Sequence, residues 1–160
     1  MNIGVVSDTH GHLEYARAAV RMLASCDVQL VIHCGDIGSV EMVGLFQPWP
    51  THFVLGNVDT HPREMAKAIA EAGQAYHGRF GELEVGGKLI AFLHGDDGPL
   101  LAATISGGRY DLVCYGHTHV AAQEQHGRTL ALNPGALYRA QPHSIAIVTL
   151  PQLEVTHVAL

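Results

Sequence analysis

The chain of 160 residues has the length of one compact domain, and 48% of its residues are hydrophobic, which is enough to fill a core without disulfides. Its formal net charge of −6 excludes a global basic field, so the sequence offers no evidence for nucleic-acid binding. We therefore predict a single domain over residues 1–160.

The three cysteines, Cys26, Cys34 and Cys114, form an odd set without CxxC spacing, which favours a reducing compartment over a disulfide scaffold. The N-terminal segment lacks the basic and long apolar regions of a signal peptide. No stretch reaches the ~20 apolar residues that are needed to span a bilayer. We therefore expect a soluble cytoplasmic protein that has no membrane partner.

The first half of the sequence alternates short apolar runs with helical patterns. Ser39 suits the N-cap of a helix, and Pro62 suits a helix start. Strands that alternate with helices through short loops pair in parallel and are covered by helices. In chain order, the predicted elements are strand 2–7, helix 13–25, strand 28–34, helix 39–46, strand 51–55 and helix 63–72.

The second half is mostly β. Gly86-Gly87 between two strand-like runs predicts a hairpin with a two-residue turn. The predicted elements are strands 79–85 and 88–93, helix 99–105, and strands 111–115, 120–125, 129–132, 143–150 and 152–159. Two sheets packed face to face with helices outside satisfy both halves. The final strand could pair across a homodimer through an exposed edge.

Possible metal ligands follow five of the apolar runs. The carboxyl ends of strands are where α/β sheets usually bind ligands. Asp, Asn and His offer the oxygen and nitrogen atoms that divalent metals accept. The motifs are Asp8-Thr9-His10, Gly35-Asp36, Gly56-Asn57-Val58-Asp59, His94-Gly95 and Gly116-His117-Thr118-His119.

Each motif alone has an ordinary structural explanation. Asp8 suits a helix N-cap, the Gly-Asp and Gly-Asn pairs suit turns, and His94 suits a loop. Gly116-His117-Thr118-His119 is harder to explain in this way, because two crowded imidazoles repel each other when both are protonated. The five motifs together favour a two-metal hydrolytic site.

The ordered set Asp-x-His, Gly-Asp, Gly-Asn-x-Asp, His-Gly and Gly-His-x-His resembles that of the calcineurin-like metallophosphoesterases. The Ser-Asp-Thr-His-Gly opening, the Gly-Asn-Val-Asp form and Asn133-Pro134-Gly135 are similar to the small single-domain phosphodiesterases of bacteria and archaea. The resemblance implies an α/β fold, a four-layer α/β/β/α sandwich of two mixed sheets flanked by helices.

The resemblance also implies two divalent transition-metal ions and a small phosphoester substrate. A hydroxide held by both ions would attack phosphodiesters, and also activated monoesters, with Asp36, Asn57 and His94 as catalytic residues. Mixed nitrogen and oxygen ligation suits Mn²⁺, which we expect first, and also Fe, Ni²⁺, Co²⁺ or Zn²⁺. The implied ligands are Asp8, His10 and His119 for one ion, Asn57, His94 and His117 for the other, and Asp36 as the bridge.

Val58 departs from the phosphomonoesterase pattern, in which a His at this position is thought to assist the leaving group. Because Val58 cannot donate a proton, its presence favours diesters over monoesters with poor leaving groups. His12 and His61 are alternative acids, although both are also explained as solvated loop residues. Asp59 is expected to orient a ligand or a neighbouring His.

Two other functions fit parts of the sequence. A non-catalytic protein-interaction scaffold on the same fold, similar to a retromer subunit, would have an incomplete set of metal-binding histidines. Here His10, His94, His117 and His119 are all present, which favours the enzyme. A metal-dependent nuclease is disfavoured by the acidic charge and by the lack of a basic and aromatic stripe.

Overall fold

The computed structural model describes residues 1–160, which form eleven strands and four helices. The elements are β1 (Asn2–Val6), α1 (Leu13–Ser25), β2 (Val28–His33), α2 (Glu41–Leu45), β3 (Thr51–Phe53), α3 (Pro62–Glu71), β4 (Ala75–Tyr76), β5 (Phe80–Val85), β6 (Lys88–Leu93), α4 (Gly98–Ser106), β7 (Leu112–Cys114), β8 (Ala122–His126), β9 (Thr129–Asn133), β10 (Ser144–Thr149) and β11 (Glu154–Ala159).

Both sheets are mixed. The first sheet has the strand order β11-β10-β1-β2-β3-β4, and its strands β1 to β4 run parallel. The second sheet has the order β5-β6-β7-β9-β8, with β6, β7 and β9 parallel. In the first sheet Val6 lies opposite His33, and His33 lies opposite Phe53, so three parallel strands end at one edge.

Apolar side chains divide the molecule into four layers. Ile3 of the first sheet and Phe92 of the second belong to one buried cluster, which fills the space between the sheets. Leu23 of α1 belongs to a second cluster, which joins α1, α2 and α3 to the other face of the first sheet. Leu101 of α4 packs against the cluster that contains Val113, on the outer face of the second sheet. The predicted α/β/β/α sandwich is confirmed.

Most predicted elements are present, and their ends differ from the predicted ones by at most two residues. The prediction that Ser39 caps a helix is wrong, because α2 begins at Glu41 and its N-cap position is Val40. The short strand β4 has no predicted counterpart, since two residues are too few to show a hydrophobic period. Gly86 and Gly87 both have positive φ, as the predicted hairpin requires.

Strand β11 lies at the edge of the first sheet, where the sequence analysis expects a free edge. Its pairing with a second copy of the chain stays a prediction. The longest helix, α1, has 13 residues, and none of the four has the length and apolar character required to cross a bilayer.

Candidate metal centre

The predicted ligands lie at the carboxyl ends of strands from both sheets. Parallel strands bring these ends to one edge of each sheet, and the face-to-face packing brings the two edges together. Asp8 follows β1, Asp36 follows β2, Asn57 follows β3, His94 follows β6, and His117 and His119 follow β7.

Two carboxylate oxygens form the middle of the cluster. Asp8 Oδ1 lies 3.1 Å from Nε2 of His119 and 3.6 Å from Nε2 of His10. His94 Nε2 lies 4.0 Å from the same Asp8 oxygen and 3.3 Å from Asp36 Oδ2. The Asp36 oxygen is also 3.4 Å from His10 Nε2. The imidazoles of His10 and His94 therefore face both carboxylates.

Two groups of side chains have ligand atoms within 4.8 Å of one another: Asp8, His10 and His119 form one, and Asp8, Asp36 and His94 form the other. The first group coincides with the set predicted for one ion. The second contains the predicted bridge, Asp36, together with His94 of the other set. Asp8 belongs to both groups, so the geometry gives it a shared position that the sequence analysis assigned to Asp36 alone.

The remaining two predicted ligands lie at the exposed rim of the cluster. The His117 ring centroid is 5.1 Å from that of His94, in an edge-on arrangement. Asn57 is exposed and directly follows Gly56, whose backbone abuts Asp36. The His117 side chain does not belong to the tight groups around Asp8 and Asp36.

Five of the seven predicted ligands have left-handed backbone conformations, which non-glycine residues rarely adopt. The φ values are 56° for Asp8, 46° for His10, 52° for Asp36, 68° for His117 and 60° for His119. Each such conformation costs roughly 1–3 kcal/mol unless the side chain finds a local partner, and such residues cluster at functional sites. The strain is therefore a second, independent sign that this edge of the fold is functional.

The donor set fits divalent metal ions. Asp8 Oδ1, His10 Nε2 and His94 Nε2 are buried and have no hydrogen-bond partner, although buried polar atoms are normally paired. His94 Nδ1 lies 2.8 Å from the Cys34 carbonyl oxygen and donates to it, which leaves the Nε2 lone pair facing the cluster. A cation would satisfy all three orphaned atoms, and a buried carbonyl that orients the far ring nitrogen is typical of metal-binding histidines.

The electrostatics keep both carboxyls ionised. Burial raises the pKa of Asp8, but the His10 imidazole and the Ser7 hydroxyl outweigh burial and hold the pKa below its usual range. Burial likewise raises the pKa of Asp36, and His94 together with the Val58 N–H reverses the direction. Both side chains are therefore available as anionic ligands at neutral pH.

Asp59 holds two loops of the site rather than a neighbouring His. Its Oδ2 accepts hydrogen bonds from the N–H groups of Gly56 and Ile37, at 2.8 and 3.2 Å, and its Oδ1 accepts from the Gly38 N–H at 2.9 Å. The expectation that Asp59 orients a ligand or His side chain directly is therefore wrong. It acts through the backbone, because buried N–H groups of the Asp36 and Asn57 loops need acceptors.

His33 is the residue that sequence reasoning missed. It is fully buried, and its Nδ1 accepts from the Gly35 N–H at 3.2 Å, which makes Nε2 the donor to Thr9 Oγ1 at 3.1 Å. The Thr9 hydroxyl in turn donates to the Ile37 carbonyl oxygen at 2.9 Å. This chain joins the loops that carry Asp8 and Asp36. A histidine inside the apolar run of β2 was the available signal.

Two glycines permit the loops to approach one another. A Cβ on Gly56 would lie 2.0 Å from Asp36 Oδ1, and a Cβ on Gly116 would lie 1.9 Å from Ser7 Oγ. Asn133, at the end of β9, donates through Nδ2 to the Gly116 carbonyl oxygen at 2.9 Å. Glycine in these motifs is thus required by space.

The two alternative acids lie in different environments. His61 is exposed at the N-cap of α3, as a solvated loop residue would be. His12 differs from that expectation, because it packs against Tyr15 and Tyr138, with ring centroids 5.1 and 5.5 Å away, and its Nδ1 is buried without a partner. Tyr138 also lies 5.1 Å from the His10 ring, so it borders the cluster.

Residues 1–153 match the profile of the calcineurin-like phosphoesterase superfamily domain. The chain belongs to this superfamily. It is 31% identical over 138 residues to the phosphodiesterase MJ0936 of Methanocaldococcus jannaschii, which covers 84% of this chain and 83% of the relative. The match extends from the opening of the chain to beyond the last ligand motif, so the predicted resemblance is confirmed.

Solved structures support the same assignment. The structure of an archaeal phosphodiesterase superposes with a TM-score of 0.90, at 29% identity, and covers 100% of both chains. A Vps29 variant from Entamoeba histolytica superposes with a TM-score of 0.70 at 18% identity, covering 100% of this chain and 99% of that one. The second likeness concerns the fold alone.

The hydrogen-bond chain through Thr9 predicts a stability effect. Thr9→Val keeps the shape but leaves the buried His33 Nε2–H without an acceptor, so the free energy of unfolding should fall by about 1–3 kcal/mol. Thr9→Ser retains the hydroxyl and is the matched control. Urea unfolding of metal-free protein measures both variants. Equal stability of Thr9→Val and wild type would contradict the assigned network.

The burial of His33 predicts how stability depends on pH. Burial lowers the pKa of His33 to about 4, from 6.5 for the free group. The unfolded state therefore binds the extra proton first, and stability falls as the pH drops from 6.5 towards 4, by at most about 1.4 kcal/mol per pH unit. Urea unfolding at several pH values should show a shallower slope for His33→Gln than for wild type. Parallel slopes would show that His33 does not contribute.

Proposed function

We propose that the protein is a dinuclear metal-dependent phosphodiesterase that acts on a small phosphoester. The observation that carries the proposal is the Asp36 carboxylate, whose Oδ2 lies 3.4 Å from one ring nitrogen (His10) and 3.3 Å from another (His94). A carboxylate between two imidazoles that belong to different ligand groups is suited to bridging two cations. The phosphodiesterase names of the relatives support the substrate class.

The seven predicted ligands would hold the ions. Asp8, His10 and His119 supply one site, and His94 with Asp36 begins the other, which Asn57 and His117 complete from the rim. Two bound divalent ions would supply an activated water, present as hydroxide, and positive charge against the phosphoryl oxygens. The mixed nitrogen and oxygen donors suit Mn²⁺ first, with Fe, Ni²⁺, Co²⁺ and Zn²⁺ as alternatives.

Backbone N–H groups hold the Asp8 and Asp36 carboxylates in position. The Val58 N–H donates to Asp36 Oδ1 at 3.0 Å, and the His117 N–H donates to Asp8 Oδ2 at 3.1 Å, so each carboxylate is fixed through one oxygen. Ser7 is not assigned as a nucleophile, because it is fully buried, and its hydroxyl donates a hydrogen bond to Asp8 Oδ2 at 2.6 Å.

Val58 limits the range of leaving groups. Its side chain is 38% exposed and lines a cavity of about 430 Å³ on the Asp59 side of the cluster. A phosphomonoester with a poor leaving group needs a proton when its P–O bond breaks, and an apolar side chain cannot supply it. Diesters with acidic leaving groups need less help, which supports the phosphodiesterase assignment.

The proposal also includes the boundaries of the catalytic unit. Ligands come from the loop after β1 and from the loop after β7, so neither half of the chain contains a complete site. Residues 1–160 are therefore proposed to act as one domain. A metal-free scaffold does not account for buried ligand atoms without a partner, which cost stability unless a cation binds them.

Removal of the bridging carboxylate tests the metal assignment. Asp36→Asn should lower Mn²⁺ binding from two ions per chain to one or fewer, and should abolish hydrolysis of bis(p-nitrophenyl) phosphate, while circular dichroism stays unchanged. Equilibrium dialysis with elemental analysis measures the metal content. Asp96→Asn, a carboxylate beside His94 that is paired with Arg79, is the control and should keep both ions. Full metal content and activity in Asp36→Asn would contradict the proposal.

Replacement of Val58 tests the substrate class. Val58→His introduces a proton donor beside the cluster, and general acid catalysis is typically worth ~10²–10⁴-fold. The variant should increase kcat/KM for an alkyl phosphate monoester relative to bis(p-nitrophenyl) phosphate, whereas p-nitrophenyl phosphate, which loses the same acidic leaving group as the diester, should change little relative to it. Val58→Asn, polar but without an acid, is the control. A wild-type protein that already prefers alkyl monoesters would show that another group supplies the proton.

A further inference from the structure

Three cavities border the metal centre, and their charges differ. The cavity beside His94 holds about 460 Å³ and is lined by Asp96 and Asp97. The cavity beside Val58 is lined by Glu41, Asp59 and Glu64. The third, beside His119, is the largest of the three at about 530 Å³, and no carboxylate lines it.

Arg139 is the cation of the third cavity, which we call the His119 cavity. Its guanidinium lies 5.1 Å from the Tyr138 ring centroid, and it forms no ion pair or hydrogen bond with a carboxylate. Arg79, which lines the cavity beside His94, is instead paired with Asp96 and donates to the Gly56 carbonyl oxygen at 3.1 Å. Among the three cavities, only the His119 cavity is therefore lined by an arginine that is not already paired with a carboxylate.

The backbone ties Arg139 to the metal ligands. His119 Nδ1 lies 3.4 Å from the Arg139 carbonyl oxygen, while its Nε2 faces Asp8. Tyr138, beneath the guanidinium, also packs against His10. Arg139 has a left-handed conformation with φ of 47°, which is unfavourable for a residue with a long side chain. A functional role for the guanidinium would explain why this exposed arginine beside the ligands keeps a strained backbone conformation.

We infer that the His119 cavity is a subsite for the non-scissile arm of the phosphodiester, and that this arm carries a second oxyanion, a phosphate or a carboxylate. Arg139 is then a specificity-determining residue that binds this group. The inference rests on the proposed function and adds the charge of the substrate arm. A guanidinium binds such oxyanions through two parallel hydrogen bonds, which lysine cannot reproduce.

The two acidic cavities exclude the alternative placements. An anionic arm beside Asp96 and Asp97, or beside Glu41 and Glu64, would meet like charges with no free cation to offset them. The His119 cavity has no carboxylate in its lining, and its uncharged polar side chains include Ser144 and Gln141. The second oxyanion therefore belongs beside Arg139.

Two matched substrates test the inference. Both are p-nitrophenyl esters of the 5′-phosphate of thymidine, and only one carries a 3′-phosphate. In wild type, kcat/KM should be higher for the ester with the 3′-phosphate, mainly through a lower KM. Arg139→Gln should reduce kcat/KM for that ester by about tenfold or more, and leave the other ester within about twofold. Arg139→Lys should recover part of the loss.

Arg21→Gln is the matched control, because it removes the same charge from an exposed position of α1. If it lowers the rate as much as Arg139→Gln, a general field effect accounts for the result and the subsite is overturned. Equal kcat/KM of wild type for the two esters, or an equal loss on both in Arg139→Gln, would also overturn it while the phosphodiesterase proposal stands.

A binding measurement separates the two proposals. Calorimetric titration of Mn²⁺-loaded protein with thymidine 3′,5′-bisphosphate should show affinity that Arg139→Gln weakens by about tenfold and that Arg21→Gln retains. If neither ester is hydrolysed, the proposed function fails, and this titration still decides the subsite. Equal affinity of wild type and Arg139→Gln would overturn the role of Arg139.

Discussion

Each of the two central carboxylates divides its oxygens between the backbone and the metal centre, and the rest of the site depends on this division. Asp8 Oδ2 accepts from the Ser7 hydroxyl and the His117 N–H, while Oδ1 faces three imidazoles. Asp36 Oδ1 accepts from the Val58 N–H, while Oδ2 faces His10 and His94. The hydrogen bond from His117 to Asp8 joins a loop of the second sheet to a loop of the first. The way in which the two sheets pack therefore determines the geometry of the centre.

This constraint has an energetic consequence. Buried ligand atoms without a partner and five left-handed ligand residues oppose folding. The opposing contribution comes from the apolar layers on both faces of the first sheet and from the chain through His33 and Thr9, which satisfies polar groups directly behind the centre. Any cation that binds the native state alone adds stability that grows with the logarithm of its concentration divided by its Kd. Binding of a cation at this centre would therefore be coupled to folding.

The sequence predicts the layers and the ligand motifs well, for different reasons. Buried parallel strands such as β1 and β2 are visible as apolar runs, and the ligands follow these runs because parallel strands share an edge. It does not predict that Asp8 is shared between both ligand groups or that Asp59 binds only backbone N–H groups, since both depend on how the loops fold over one another. His33 was missed because a polar residue in a buried strand has its partners on other segments. Ser39 was misassigned because a capping residue type does not guarantee that a helix begins there.

The distribution of charge over the chain affects where an anionic substrate could bind. The chain carries 15 acidic residues against 9 lysines and arginines, so a phosphodiester approaches a protein of its own sign. Bound cations would reverse the potential at the centre, but their effect on exposed groups fades over about 8 Å in physiological salt. Beyond that distance, the charges of the residues that line the three cavities determine where an anionic arm of a substrate can bind. Carboxylates line two of the cavities, and Arg139 lines the third. Arg139 and the adjacent Tyr138 also contact His119 and His10. On the proposed function, the same loop would link the orientation of the predicted metal ligands to the charge of the group that the substrate carries.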